Sequence, residues 1–375
     1  MVNRMKQIQL FLFTLIILFM NENIQAYHPE ALNRLINGDR NLYGVDLSDA
    51  DLSHQIFQNI VLTGADLRGA NLKFADLSGA QLNLANFEGA DLENARLNFT
   101  NLQYSNLTST NLKGTHLANS NLGFVQFNQA QLKHTVLTNS KLHHTTFKNA
   151  LISYSDLSYT EITRGDFSQS EIIHTDFTGS DISNANFTAA ILINNQMGNC
   201  SFIQSRFNDA LLKRIYLQTS NLAGANFSRA LLLDTNLVRV YSIGANFTET
   251  QVRNINMENA YCIGCIFNGA KIVQSNFQKA DFRGGSFKNV LLKLTNFSFV
   301  SFLASNFDDE HLQRLEEIGA QLTPETIKNI KSRGAEFQGI KISESIFEQA
   351  MIKTKWKPTF ERFKDLNLNT VIWKD

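Results

Sequence analysis

Every fifth residue from Leu42 to Phe307 is Leu, Ile, Phe, Met or Val, with two lapses at Ser242 and Cys262. Two places before each centre from Leu47 on stands a small or β-branched residue, as at Val45, Ala50, Ala65 and Ala70; Gln55 and Asn195 break that rule. The remaining positions are mostly polar. A period of five fits neither the helix, near 3.6, nor the strand, at 2. It requires a backbone that turns a corner every five residues, and such fixed-period self-similarity marks a repeat architecture. Pro29, Pro324 and Pro358 all lie outside this region, where the backbone N–H groups are needed for ladder bonds.

A longer period lies over the short one. Centres spaced by twenty read Phe127, Phe147, Phe167, Phe187, Phe207, Phe227, Phe247, Phe267, Phe287 and Phe307. Centres five residues further on, from Leu132 to Leu292, are all aliphatic. Beside the Phe column the small position is among the smallest in the chain, as at Gly165, Ala185, Ala225 and Gly285. Large and small side chains sharing one layer is what close packing at constant cross-section demands. The corner position is often Gly, as at Gly64, Gly69 and Gly79, or Asn, as at Asn119 and Asn139; both tolerate φ > 0.

The unit small–polar–Leu/Phe–polar–polar, as in Ala65-Asp66-Leu67-Arg68-Gly69, resembles the A(D/N)LXX pattern of the pentapeptide-repeat family, and does so without a break over residues 42–307. The resemblance implies an all-β solenoid: a right-handed quadrilateral parallel β-helix, with twenty residues per coil. Helical caps are expected at both ends, because an open β-helix end is an exposed edge.

The domain plan that follows has six parts. Residues 1–26 read as a Sec signal peptide, with Arg4 and Lys6, an apolar run from Ile8 to Met20 and a small residue, Ala26, before the cleavage point. Residues 27–41 hold an N-terminal capping helix, started by Pro29 and ended by Gly38. The β-helix of 42–307 follows. Residues 308–336 read as two short helical units, related at an offset of fifteen residues that preserves the five-residue register. Residues 337–355 resume the register as a further coil, centred on Phe337, Ile342, Phe347 and Ile352. Residues 356–375, amphipathic with Trp356, Phe360, Phe363, Leu366, Ile372 and Trp373, form an aromatic C-terminal cap.

Charge removes some functions. Lys plus Arg equals Asp plus Glu at 34 each, so no global field favours nucleic acid, and none is expected as a partner. The best-understood branch of the family looks like DNA, binds type II topoisomerases and protects against quinolones. That DNA-mimic role needs a strongly acidic rod. Here residues 46–93 carry eight acids and two bases, but residues 94–155 carry five bases and no acid. It is kept as the alternative.

The chemistry of sites is thin. No nucleophile–base pair, phosphate loop or paired catalytic carboxylates converge, so no enzyme activity, cofactor or metal is expected. His134, His143, His144 and His174 read as surface residues on different columns without an acid beside them. Cys262-Ile-Gly-Cys265 and Cys200 fall on inward positions, either as small apolar fillers or, for the first two, as a disulfide. Corner aromatics gather at Phe74, Phe99, Tyr104, Phe124, Tyr154 and Tyr159.

One outward face is unexpectedly apolar: Leu151, Ile173, Ile191, Ile193, Leu211, Leu231 and Leu233 take positions that should be polar. Contiguous exposed apolar surface marks interaction sites. The expectation is therefore an exported scaffold, periplasmic or secreted and without a stable membrane anchor. It binds a protein partner through its faces, and can form a homodimer through the C-terminal cap or this apolar face.

Overall fold

The structure is a computed structural model that describes residues 29–297, 300–301 and 305–307. The signal peptide, the helical units, the further coil and the aromatic cap expected at 1–26 and 308–375 lie outside the described residues. Contacts group the coils into two units. One runs to Phe187 and includes Leu192–Phe202; the other takes Thr188–Ile191 and the coils from Ile203 onward.

Within each unit the chain is a parallel β-solenoid. Bridges at Asn41↔Val61, Asp46↔Asp66, Asp51↔Asn71 and Ile56↔Asp76 put four ladders on each twenty-residue coil, so the coil has four sides. Every bridge is parallel and joins residues twenty apart. One side is regular enough to form strands: β1 (Gln131–Lys133), β2 (Leu151–Ser153), β3 (Glu171–Ile173), β4 (Ile191–Ile193), β5 (Leu211–Lys213), β6 (Leu231–Leu233), β7 (Gln251–Arg253) and β8 (Lys271–Val273). Two later pieces, β9 (Ser286–Phe287) and β11 (Asn306–Phe307), pair with each other, and β10 (Leu291–Lys293) pairs with β8.

The five-residue grammar has a local cause at each position. The centre donates to the next coil, as Leu67 N–H does to the Asn86 carbonyl at 2.7 Å. The residue before it donates back, as Asp66 N–H does to the Val45 carbonyl at 2.8 Å. The small residue closes the corner: Ala65 N–H reaches the Leu62 carbonyl at 3.0 Å, with Gly64 between them at φ +68°. A positive φ at the third residue of a four-residue turn is the type II requirement. The preference for Asp or Asn before the centre is a side-chain turn: Asp76 Oδ1 accepts the Ser78 N–H at 3.0 Å, and Asn106 Oδ1 accepts the Thr108 N–H at 3.0 Å.

Inside, the Phe column stacks coil on coil. Phe147 and Phe167 lie 4.6 Å apart with rings 1° from parallel, and Phe227 and Phe247 lie 5.1 Å apart at 3°. Phe177 meets Phe167 edge-on at 6.2 Å. The matched small position is enforced: a Cβ on Gly165 would come within 2.7 Å of the Ile162 side chain and 3.2 Å of the Phe167 ring. Buried Ser and Thr at small positions are satisfied by carbonyls, as Thr100 Oγ1 donates to Leu97 at 2.7 Å. Asn195, a misfit in sequence, is buried and paired both ways: its amide donates to the Ile172 carbonyl at 2.8 Å and its Oδ1 accepts the Thr175 N–H at 2.8 Å.

The other lapses have one explanation. Ser242 and Cys262 are successive members of one column, and Cys262 and Cys265 form a buried disulfide at one corner of their coil, Cα to Cα 5.3 Å. The Ser242 hydroxyl lies 3.4 Å from Cys262 Sγ, so a small centre sits beside the cystine where a Leu would otherwise stand.

Helical caps at both ends are not supported. A single short helix, α1 (Pro29–Ile36), stands among the described residues where the N-terminal cap was expected. Its Ala31 is buried, and Arg34 holds the chain that follows through Asp39 and the Asn41 carbonyl.

Candidate functional site

In the first unit, the corners make a surface feature. Leu84, Tyr104, Phe124 and His144 occupy one corner column on successive coils and are all exposed. Their backbones sit at φ +57° to +63°, the left-handed region that side chains ordinarily avoid at roughly 1–2 kcal/mol each. Ring stacking offsets part of this cost, at about 0.5–1.5 kcal/mol per pair. Tyr104 and Phe124 lie 4.8 Å apart, and Phe124 and His144 lie 4.7 Å apart, all nearly parallel. Because the rings cover each other's faces, the column presents its edges to solvent. That suits contact with an apolar protein surface and leaves few open ring faces on which a base could stack. Phe99, also exposed, stands on the neighbouring corner column.

The histidines are organised differently from the sequence reading. His134 and His174 share one column on either side of Tyr154, with ring centroids 5.4 and 4.8 Å from it. His143 does have an acid beside it: Nε2 lies 2.9 Å from Glu161 Oε2 and Nδ1 lies 2.7 Å from Thr163 Oγ1. Sequence reasoning missed this because Glu161 lies eighteen residues away, a separation that only the twenty-residue coil makes short. Among the described residues, no group of three or more His, Cys, Asp or Glu is placed to hold a metal ion. Burial pushes the Cys200 thiol up to about 12, which makes it an inert filler.

Ion pairs join neighbouring coils. Lys73 reaches Asp91 and Glu93 across one coil, Lys113 reaches Glu93, and Lys148 reaches Asp166 at 3.3 Å. The Arg68 guanidinium on Asp66 holds that carboxyl below the usual range. Burial alone would raise Asp166, but the Ser168 hydroxyl and amide, with Lys148, outweigh it and lower it.

The seven apolar face residues separate sharply. In the first unit Leu151 is 39% exposed, and Ile173 and Ile193 are half-buried. In the second unit Leu211 is 0% exposed, Ile191 1%, Leu231 6% and Leu233 7%. The expectation that all seven lie open to solvent is corrected for these last four. Register alone says which way a side chain points; it does not say what lies beyond it. Lys213, on the same strand as Leu211, is also buried, and desolvation first, then Arg214, lowers its pKa against the pull of Asp234.

This geometry has a family. Pentapeptide-repeat models match residues 46–83, 170–209 and 245–284, and a pentapeptide repeat region matches 81–157. The chain belongs to the pentapeptide-repeat family. Among solved structures, HetL, a pentapeptide repeat protein involved in heterocyst differentiation regulation in the cyanobacterium Nostoc, is 23% identical. That match covers 66% of this chain and 94% of HetL at a TM-score of 0.24. QnrB1, a plasmid-mediated fluoroquinolone resistance protein, is 19% identical over 58% of this chain and 95% of its own, at 0.30. A pentapeptide repeat protein from the Arabidopsis thaliana thylakoid lumen is 28% identical over 31% of this chain and 66% of its own, at 0.18. At these TM-scores the fold rests on the coil geometry and the family match, not on superposition. No curated protein matches the chain by sequence.

Proposed function

We propose that this pentapeptide-repeat protein is an exported, non-enzymatic scaffold that binds a protein partner through its coil faces. The observation that carries this reading is the exposed column Leu84–Tyr104–Phe124–His144, flanked by Phe99. Aromatic residues are enriched in the cores of protein interfaces. A ladder fixed by backbone bonds at every coil presents them pre-organised, so little ordering entropy is lost on binding. Leu151, half exposed on β2, with Ile173 and Ile193, adds apolar area in the same unit. Export rests on the charged start, the apolar run Ile8–Met20 and Ala26. The DNA-mimic alternative is not adopted, because the stretch 94–155 is basic where mimicry needs acid.

Expression in a bacterium followed by fractionation and N-terminal sequencing tests export: Tyr27 should become the first residue of a protein outside the cytoplasm. Proximity labelling in that compartment, repeated with Tyr104→Asp/Phe124→Asp, tests binding. Enriched proteins should disappear with the variant while its thermal unfolding stays near that of the parent. An unchanged set of labelled proteins would refute the corner as a binding surface.

A further inference from the structure

In the second unit one side of the coil departs from the polar rule for outward positions. The ladder Asn221–Tyr241–Tyr261 carries Ala223, Ile243 and Ile263 just past its centres, with Ile203 one coil earlier. Tyr241, Tyr261, Ile203 and Ile243 are exposed, and the two tyrosine rings stack 5.1 Å apart at 4°. In the first unit the same register reads Gln81, Asn101, Asn121, Lys141, Glu161 and Asp181. The edge beyond the isoleucines is bare, because Gly224, Gly244, Gly264 and Gly284 hold that corner on successive coils. Neither φ nor packing asks for glycine there. Leu84, Tyr104, Phe124 and His144 keep similar φ values in the same register, and a Cβ on Gly244, Gly264 or Gly284 would meet nothing within 4 Å. A bare edge lets a flat surface approach Ile243 and Ile263. Beneath them the Cys262–Cys265 disulfide ties the strand to its corner turn, so the face is held ready.

We propose that this face meets the surface of an anionic lipid bilayer, as a reversible contact and not an anchor. Tyrosine is enriched at the headgroup level of membranes, and aliphatic side chains enter the acyl boundary beside it. Charge agrees. Residues 203–297 carry eleven bases and five acids, an excess that the balanced whole chain hides. On this side and its edges, Arg239, Lys279 and Arg206 are exposed and hold no carboxylate among the described residues. The acids there are Asp281, which Arg283 already neutralises, and Glu258. Cations near an anionic leaflet are attracted to it. Area argues against a second copy as the occupant. Four coils about 4.8 Å apart, on a side about three residues wide, give roughly 200 Å², whereas a stable protein interface buries about 800 Å² per partner. A bilayer is fluid and sets no such minimum. The face lies apart from the corner column of the first unit and does not depend on the partner proposed above.

The test is vesicle flotation of the full chain. Binding to phosphatidylcholine vesicles with about 30% phosphatidylserine should exceed binding to pure phosphatidylcholine by about tenfold or more. It should fall away as salt rises from about 0.1 to about 1 M. Arg239→Gln/Lys279→Gln and Ile243→Ser/Ile263→Ser should each cut it by about tenfold. Lys133→Gln/Lys141→Gln, exposed cations of the first unit, should change it less than about twofold. Contact is read directly by an environment-sensitive dye on Ala223→Cys, with Ser183→Cys, in the same register of the first unit, as the comparison; Cys200 is silent because its thiol is buried and its pKa is high. Anionic vesicles should shift the emission at 223 and not at 183. Equal binding to neutral vesicles, or flotation with no shift at 223, would overturn the proposal. So would a shift that grows with chain concentration without vesicles, which would assign the face to a second copy. A shift caused by a membrane-free lysate but not by vesicles would assign it to a soluble protein and overturn the proposal as well.

Discussion

The corner column at Tyr104 and Phe124 and the strand face at Leu211 and Leu231 are both apolar stretches at outward positions, yet one is open and the other is buried. The first stabilises itself in part: each ring covers the face of the next, which offsets some of the cost of a left-handed corner. The second has aliphatic side chains without such a partner on its outer side and is covered instead. The contrast teaches that apolar character outside a solenoid does not by itself mark a docking surface. How each residue's exposed area is satisfied decides that.

Substitutions can break or sharpen this comparison. Leu211→Asp should have the largest effect, a loss of about 4 kcal/mol or more or outright failure to fold, because an unpaired charge in a covered face is costly. Denaturant unfolding of the full chain measures it, and a loss below about 1 kcal/mol would mean the face is open. Phe167→Ala, inside the coil between stacked rings, should cost about 3–5 kcal/mol through the cavity it leaves. That sets the scale for a truly interior position. Tyr104→Ala should cost only about 1 kcal/mol, the value of an exposed ring pair. Phe124→Gly should be smaller still, since glycine relieves the corner strain while two ring contacts are lost; a cost above about 2 kcal/mol would show that the column is structural first.

Acid should act on the first unit through Asp66 and Asp166, whose carboxyls titrate lower in the folded chain than in the unfolded one. Groups lowered on folding contribute stability above the ordinary carboxylate range and lose it as pH falls through the folded value. The Tm should therefore drop as pH falls from about 5 toward 3. Asp66→Asn should blunt that drop. An equal drop in the variant would place the acid sensitivity elsewhere.

Much of this was legible in residue order. The five-residue centres and the twenty-residue Phe column specify the coil because each repeat contacts mainly its neighbours, so a local rule applied at every step becomes the global fold. The choice of Asp or Asn before the centre, of small residues at the corner and of Gly165 beside Phe167 all follow from bonds and contacts within one coil or the next. What the order of residues left undecided was anything set by a second surface. Glu161 against His143, the small Ser242 beside the Cys262–Cys265 disulfide of the next coil and the burial of the face at Leu211 each depend on which atoms meet across coils or lie over them. A five-residue rule fixes the direction of a side chain, but its environment belongs to the tertiary structure, because burial depends on everything within a few ångströms and not on register.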